Sequence, residues 1–247
     1  MKAEIIKNEN IISNKVILTD RDLDVLQLLV EMKFADSLQI KNFSFDKTRS
    51  GNIRESDKYI KHRLGKLLKA GYLDYFLRPY GNDYIYKASR IGCDFLKSMR
   101  PALSDLKLNT EIKVSEFNHD WHVTQSRYFL ERSGRATSWN SERAIKARFN
   151  IFDGLAAKYI PDGLFINKLG ELTAFELEIS RKAKPRYEDK IQKYVSLIRS
   201  HFNEDIKFRK VLYITQSNEV YKLLTEKTKI HSDIFKVESY EQLMVTK

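Results

Sequence analysis

Apolar positions in the first third of the chain recur at helical spacing. Leu23, Leu26 and Val30 fall on one face of a helix over Leu18–Val30. Thr19-Asp20 opens it as a cap, its side-chain oxygen accepting an orphan backbone N–H. A short second helix is predicted over Asp36–Phe43 and a polar loop over Ser44–Asn52. A third helix follows over Glu55–Ala70, with Tyr59, Leu64, Leu67 and Leu68 on its apolar side and Gly71 as its left-handed stop. The period then changes to that of strands. Tyr72–Arg78 and Tyr84–Ala88 flank the turn-rich Pro79-Tyr80-Gly81-Asn82-Asp83, as in a hairpin. Three helices and a hairpin give the order of a winged helix-turn-helix, closed by a helix over Ile91–Met99.

Arg100–Glu116 has no strong period and reads as a connector. Beyond it the pattern predicts a helix (Asn118–Ser133), a short extended piece (Ala136–Ser141) and two strands, Lys158–Ile166 and Leu172–Ser180, joined by the turn Asn167–Gly170. A helix over Pro185–His201, a strand over Lys210–Thr215, a helix near Asn218–Thr228 and a last strand at Ile234–Val237 complete the chain. The expectation is a mixed α+β protein: a winged-helix domain over residues 1–100, a connector over 101–117, and an α-β-β-β-α-β domain of restriction-endonuclease-like order over 118–247.

Charge changes this picture. The 247 residues carry a net charge of +11, of which +6 lies in the first hundred. A polyanionic partner touching both halves is therefore expected. The third helix concentrates Arg54, Lys58, Lys61, Arg63, Lys66 and Lys69, a set suited to phosphates of duplex DNA if the helix lies in a groove, although charge runs are also ordinary solvated faces. No apolar run approaches the ~18 residues of a membrane span, the N-terminus has no signal-peptide pattern, and one cysteine, Cys93, excludes an internal disulfide; the expectation is a soluble, cytoplasmic protein. No phosphate-binding glycine loop or Ser-His-Asp order is present, and the five histidines give no three-histidine cluster.

The candidate chemistry lies in Phe175-Glu176-Leu177-Glu178-Ile179. The two-residue period sets Glu176 and Glu178 on the face opposite Phe175, Leu177 and Ile179, and Asp162 of Pro161-Asp162-Gly163 joins them across the hairpin. Alternating glutamates also mark a plain solvent-facing edge. Three converging hard oxygen ligands would instead suit Mg²⁺ or Mn²⁺, which polarises a phosphate and activates water.

Asp162 with Glu176-x-Glu178 resembles the PD-(D/E)xK nuclease motif in its variant with Glu at the lysine position. Trp139-x-x-Glu142, Pro161-Asp162-Gly163, Phe175–Glu178, Ser180-Arg181-Lys182, Arg186-Tyr187 and Lys190-x-x-x-Tyr194 together resemble the replication-relaxation family, which includes the MobC-type plasmid mobilisation relaxases. The resemblance implies a winged helix joined to a nuclease-like domain, metal ligation by Asp162, Glu176 and Glu178, and Glu142 as an upstream acidic ligand. Lys182 or a second metal would replace the missing motif lysine. The implied activity is metal-dependent nicking of double-stranded DNA at a plasmid transfer origin, with accessory mobilisation and coupling proteins as partners. The alternatives are a non-catalytic replication or copy-number regulator and a restriction- or transposon-type endonuclease. Tyr187 and Tyr194, seven residues apart on one helix face, read as core rather than as nucleophiles.

Overall fold

The computed structural model describes residues 16–45, 56–108, 111–148, 160–199 and 208–245. The chain divides into two compact units, Met1–Thr124 and Gln125–Lys247. The fold is mixed α/β, with one sheet in each unit.

In the first unit α1 (Asp20–Met32), α2 (Ser37–Ser44) and α3 (Asp57–Lys69) precede the hairpin β2 (Leu73–Leu77) and β3 (Tyr84–Ala88), followed by α4 (Arg90–Met99). A two-residue strand, β1 (Ala35–Asp36), pairs antiparallel with β3 and completes a sheet of order β1-β3-β2. The cap of α1 differs from the expected one: the Thr19 hydroxyl donates to the Asp22 carboxylate, which also accepts the Thr19 N–H at 2.7 Å. Gly71 stops α3 as expected. Its φ of 77° lets Gly71 N–H reach Leu68 O and Tyr72 N–H reach Leu67 O, the paired bonds of a Schellman ending. The buried stripe of α3 is Ile60, Leu64 and Leu67, and Tyr59, expected inside, is exposed.

Helix α5 runs Val114–Arg132, four residues earlier than the sequence pattern suggested, and the division between units falls inside it. Its first turns belong to the first unit. Phe117 stacks on Phe34 at 4.6 Å, the Trp121 indole donates to Asp36 at 2.7 Å, and Gln39 donates to Trp121 O. The polar surroundings of Phe117 and Trp121 masked this packing in the sequence.

The second unit carries a five-stranded sheet of order β4-β5-β6-β7-β8: β4 (Ala136–Ser141), β5 (Gly163–Asn167), β6 (Leu172–Glu178), β7 (Phe208–Thr215) and β8 (Phe235–Ser239). β4, β5 and β6 pair antiparallel; β6, β7 and β8 are parallel, connected by α7 (Lys184–Arg199) and α8 (Asn218–Thr228). The expected α-β-β-β-α-β order is present, with α6 (Glu142–Ala147) after β4 and α9 (Tyr240–Val245) after β8 as additions. Tyr187, Ile191, Tyr194 and Val195 of α7 and Val220 and Leu224 of α8 pack with Leu164, Ala174, Val211 and Tyr213 on one face of the sheet. Among the described residues no helix is long and apolar enough to cross a membrane.

Candidate functional site

β6 is the central strand of the sheet, and side chains on both of its faces are buried. Phe175 and Leu177 are buried on one face; on the other, Glu176 is 1% and Glu178 2% exposed. This corrects both sequence alternatives: the glutamates occupy neither a solvent-facing edge nor an open acidic face opposite a single core. Their face is itself the main core, beneath α7.

Asp162 directly precedes β5, and the register Gly163↔Phe175 brings it beside the carboxylate strand. Its Oδ2 accepts the Leu177 N–H at 2.8 Å, which fixes the side chain along β6. Gly163 is required next to it: a Cβ there would lie 2.4 Å from Trp139 Cζ2. The Trp139 ring stacks on Phe165 at 5.8 Å and tilts against Phe175 at 5.3 Å. Trp139, Gly163 and Phe175 thus form the packed floor that positions Asp162.

Two residues of α7 reach the carboxylates. Lys190 Nζ donates to Glu176 Oε2 at 2.5 Å, and the Tyr194 hydroxyl donates to Glu176 Oε1. Burial pushes the Glu176 carboxyl up to about 7 against the pull of Lys190, and neighbouring Asp162 pushes it further the same way. For Lys190, burial alone would lower the pKa, but the charges of Glu176 and Asp162 outweigh it and raise the ammonium above its ordinary value. Tyr213, opposite Glu176 on β7, is fully buried, and its hydroxyl has no hydrogen-bond partner among the described residues. Burial lifts both Tyr194 and Tyr213 well above the usual phenol range, so neither is a ready nucleophile.

The remaining sequence candidates sit elsewhere. Lys182 pairs with Glu178, Nζ to Oε2 at 2.6 Å, and so stands with the second glutamate rather than with Glu176. Glu142 begins α6, its N–H bonding Asp162 O at 3.2 Å while its carboxylate pairs with Lys146 at 2.5 Å. Among the described residues no three His, Cys, Asp or Glu side chains are grouped to hold a metal ion. Among the described residues the expected convergence of three or four carboxylates is therefore not formed, and the site there is the pair Asp162 and Glu176 with Lys190. Mg²⁺ commonly takes only one or two carboxylates and keeps its waters, so this hard-oxygen pair still fits Mg²⁺ or Mn²⁺. Lys190 and Tyr194 were missed as site residues although their motif was visible. The available signal was a lysine one residue from Ile191 inside the buried stripe Tyr187-Ile191-Tyr194, where a lone cation needs a buried partner.

On α3, Lys58, Lys61, Lys66 and Lys69 are exposed, as expected of a phosphate-binding face. Arg63 is not part of it. Its guanidinium grips the buried Asp22 carboxylate, Nε to Oδ1 at 2.8 Å, and also donates to Ile17 O. Arg54 lies outside the described residues.

A family model described as Replication-relaxation matches residues 26–211, well over half of the chain and parts of both units. No curated protein and no solved structure matches it.

Proposed function

The chain belongs to the replication-relaxation family, and from that premise we propose that it is a metal-dependent nickase that cuts one strand of DNA at a plasmid transfer origin. The family membership supports a role in plasmid replication or mobilisation. The observation that carries the catalytic part is Glu176: a carboxyl 1% exposed and lifted to about 7, joined to Lys190 and Tyr194 and adjacent to Asp162. A buried carboxylate placed beside a second one costs stability, and such costs concentrate where chemistry needs a tuned group.

In this reading Asp162 and Glu176 would hold Mg²⁺ or Mn²⁺. When bound, such an ion polarises the scissile phosphodiester and makes an attacking hydroxide available near neutral pH. The protein's own groups do the rest. The Leu177 N–H holds Asp162, and Tyr194 and Lys190 fix both oxygens of Glu176. Lys190, its proton held firmly, opposes the charge that builds on the phosphate and takes the role that the sequence reading gave to Lys182. Lys58, Lys61, Lys66 and Lys69 grip duplex phosphates without reading bases.

A second reading has its own observation. Glu176, Glu178 and Glu142 each already face a lysine, and no three-ligand group forms among the described residues. A closed ion-pair network of this kind would suit a DNA-binding regulator that keeps the domain for interaction.

Supercoiled plasmid carrying the DNA that flanks this gene separates the two. The nickase converts it to open circle with Mg²⁺ or Mn²⁺ and not with chelator. Glu176→Gln and Lys190→Met should lower the rate at least about a hundredfold while gel-shift affinity persists, and Lys182→Met should cost much less. Wild-type nicking by Glu176→Gln would sink the proposed site. A linear product would point to a restriction- or transposon-type enzyme, and a gel shift with no cleavage to the regulator.

A further inference from the structure

The hairpin of the first unit is an unusual wing. Its tip is the turn Arg78-Pro79-Tyr80-Gly81, closed by Gly81 N–H to Arg78 O at 3.0 Å, with Arg78 N–H bonding Asp83 O at 2.8 Å at the base. Tyr80 adopts φ +60°, a region that bulky side chains rarely occupy and that turn chemistry normally assigns to Gly or Asn. It is also 96% exposed. A strained residue that packs against nothing does not serve the fold, and strain of this kind collects at ligand-contacting positions.

The chemistry around Tyr80 says what it touches. Leu77 and Tyr84 pair across the hairpin, 52% and 55% exposed, and Tyr84 meets Tyr75 edge-on at 5.0 Å. The tip has little free positive charge. Arg78 lies over the rings of Trp121 and Phe117, 5.1 and 5.9 Å from their centroids, and its nearest acid is Asp83 at 4.0 Å. A wing that reads a minor groove presents Arg or Lys there. This one presents aromatic faces, while four exposed lysines of the same unit, Lys58, Lys61, Lys66 and Lys69, lie on α3, which passes through Gly71 directly into β2. Cations for phosphates beside uncharged rings for π-faces describe a polyanion whose bases are unstacked.

We propose that the wing is a stacking platform for unpaired bases, with Tyr80 as its tip contact, so that the first unit binds a junction of duplex and single-stranded DNA rather than plain duplex. The inference rests on the DNA-binding part of the reading above and is independent of cleavage.

The test uses the full chain in chelator, with fluorescence anisotropy on a blunt duplex and on the same duplex bearing an unpaired thymidine tail of roughly ten nucleotides. Wild type should prefer the tailed probe by about five- to a hundredfold, the range of one stacked base. Tyr80→Gly should abolish that preference, leave blunt-duplex affinity unchanged and raise the melting temperature by relieving the positive φ. Tyr80→Trp should keep the preference. Opposite signs on stability and on junction binding are what a merely structural tyrosine would not give. Equal binding of both probes by wild type, or an undiminished preference in Tyr80→Gly, overturns the proposal. So does self-association of wild type that Tyr80→Gly abolishes, which would make the tip a contact between copies. Junction preference without plasmid nicking would defeat the nickase reading and leave this one standing.

Discussion

Each unit holds a carboxylate buried against a cation, Asp22 with Arg63 and Glu176 with Lys190, and the two pairs behave oppositely. Asp22 in the first unit and Glu176 in the second are 0% and 1% exposed. Asp22 accepts from the Arg63 guanidinium and from the Thr19 N–H and hydroxyl; burial pushes its pKa up, yet these donors outweigh it and hold the carboxyl below its usual range. Glu176 also has two partners, Lys190 and Tyr194, but it shares its surroundings with Asp162, and burial lifts it to about 7. Burial and a salt bridge are common to both. The difference lies in the balance of donors against a second negative charge. Where donors prevail the pair ties α1 to α3 and is architecture; where a second carboxylate is forced alongside, the group is poised to change state near neutral pH.

The strongest way to break this comparison is to remove one cation. Arg63→Ala strands a fully buried Asp22, and breaking such a pair costs about 3–5 kcal/mol. Urea denaturation of the full chain should report that loss in the first unit. Glu176→Gln leaves Asp162 to balance Lys190 and should cost less. If the two variants lose equal stability, the architectural and poised classes are not distinct.

Titration sharpens the contrast without deleting either pair. Asp22 has a folded pKa below its unfolded value of 3.8, so its contribution is present above that pH and fades as pH falls through the folded value. Glu176 has a folded pKa of about 7 against an ordinary 4.5, so stability is greatest below 4.5 and is lost as pH rises from there to about 7. That loss is on the order of 3 kcal/mol. Urea midpoints of the second unit measured from pH 5 to pH 8 should fall in wild type and stay level in Glu176→Gln. A flat wild-type profile would remove the case for a tuned carboxyl.

The same contrast shows what the sequence made legible. Most elements of both units were readable because their periods are clean: the stripe Leu23-Leu26-Val30, the Gly71 stop and the turn at Asn167–Gly170 all stand as expected. Helix α5 was readable from Asn118 onward, but its first turn and the packing of Phe117 and Trp121 were not, since the Asn, His and Asp beside them obscure the stripe. At the site, a period of two correctly grouped Glu176 with Glu178 but could not tell an exposed face from a covered one, because that depends on α7 and α8 packing over the sheet. The partners of the charges depended on tertiary placement too. Lys182, four residues from Glu178, looked like the site's cation from the strand end, whereas Lys190 arrives from α7. Arg63 looked like one more phosphate contact until Asp22 faced it.

A smaller effect tests whether the floor beneath Asp162 matters to the poised site alone. Gly163→Ala drives a methyl into the Trp139 ring. Overpacking of this sort costs about 1–3 kcal/mol. The loss should appear in the second unit, and nicking should fall further than stability does, because Asp162 moves with the strand. Unchanged stability would mean that Trp139 shifts freely and that the glycine is not what positions Asp162.

The smallest effect expected separates Arg63 from its neighbours on α3. Lys66, one turn on and exposed, is a candidate phosphate contact; Arg63, turned onto Asp22, is not. Lys66→Gln should leave the urea midpoint unchanged, weaken binding to all duplexes by a similar factor, and reduce the slope of log affinity against log salt by about 0.9. Arg63→Gln should do the reverse, lowering stability while the salt slope of the folded protein stays the same. Binding isotherms at several salt concentrations measure both. A drop in slope for Arg63→Gln would return that residue to the DNA face and leave Asp22 as the only member of its pair with a purely architectural role.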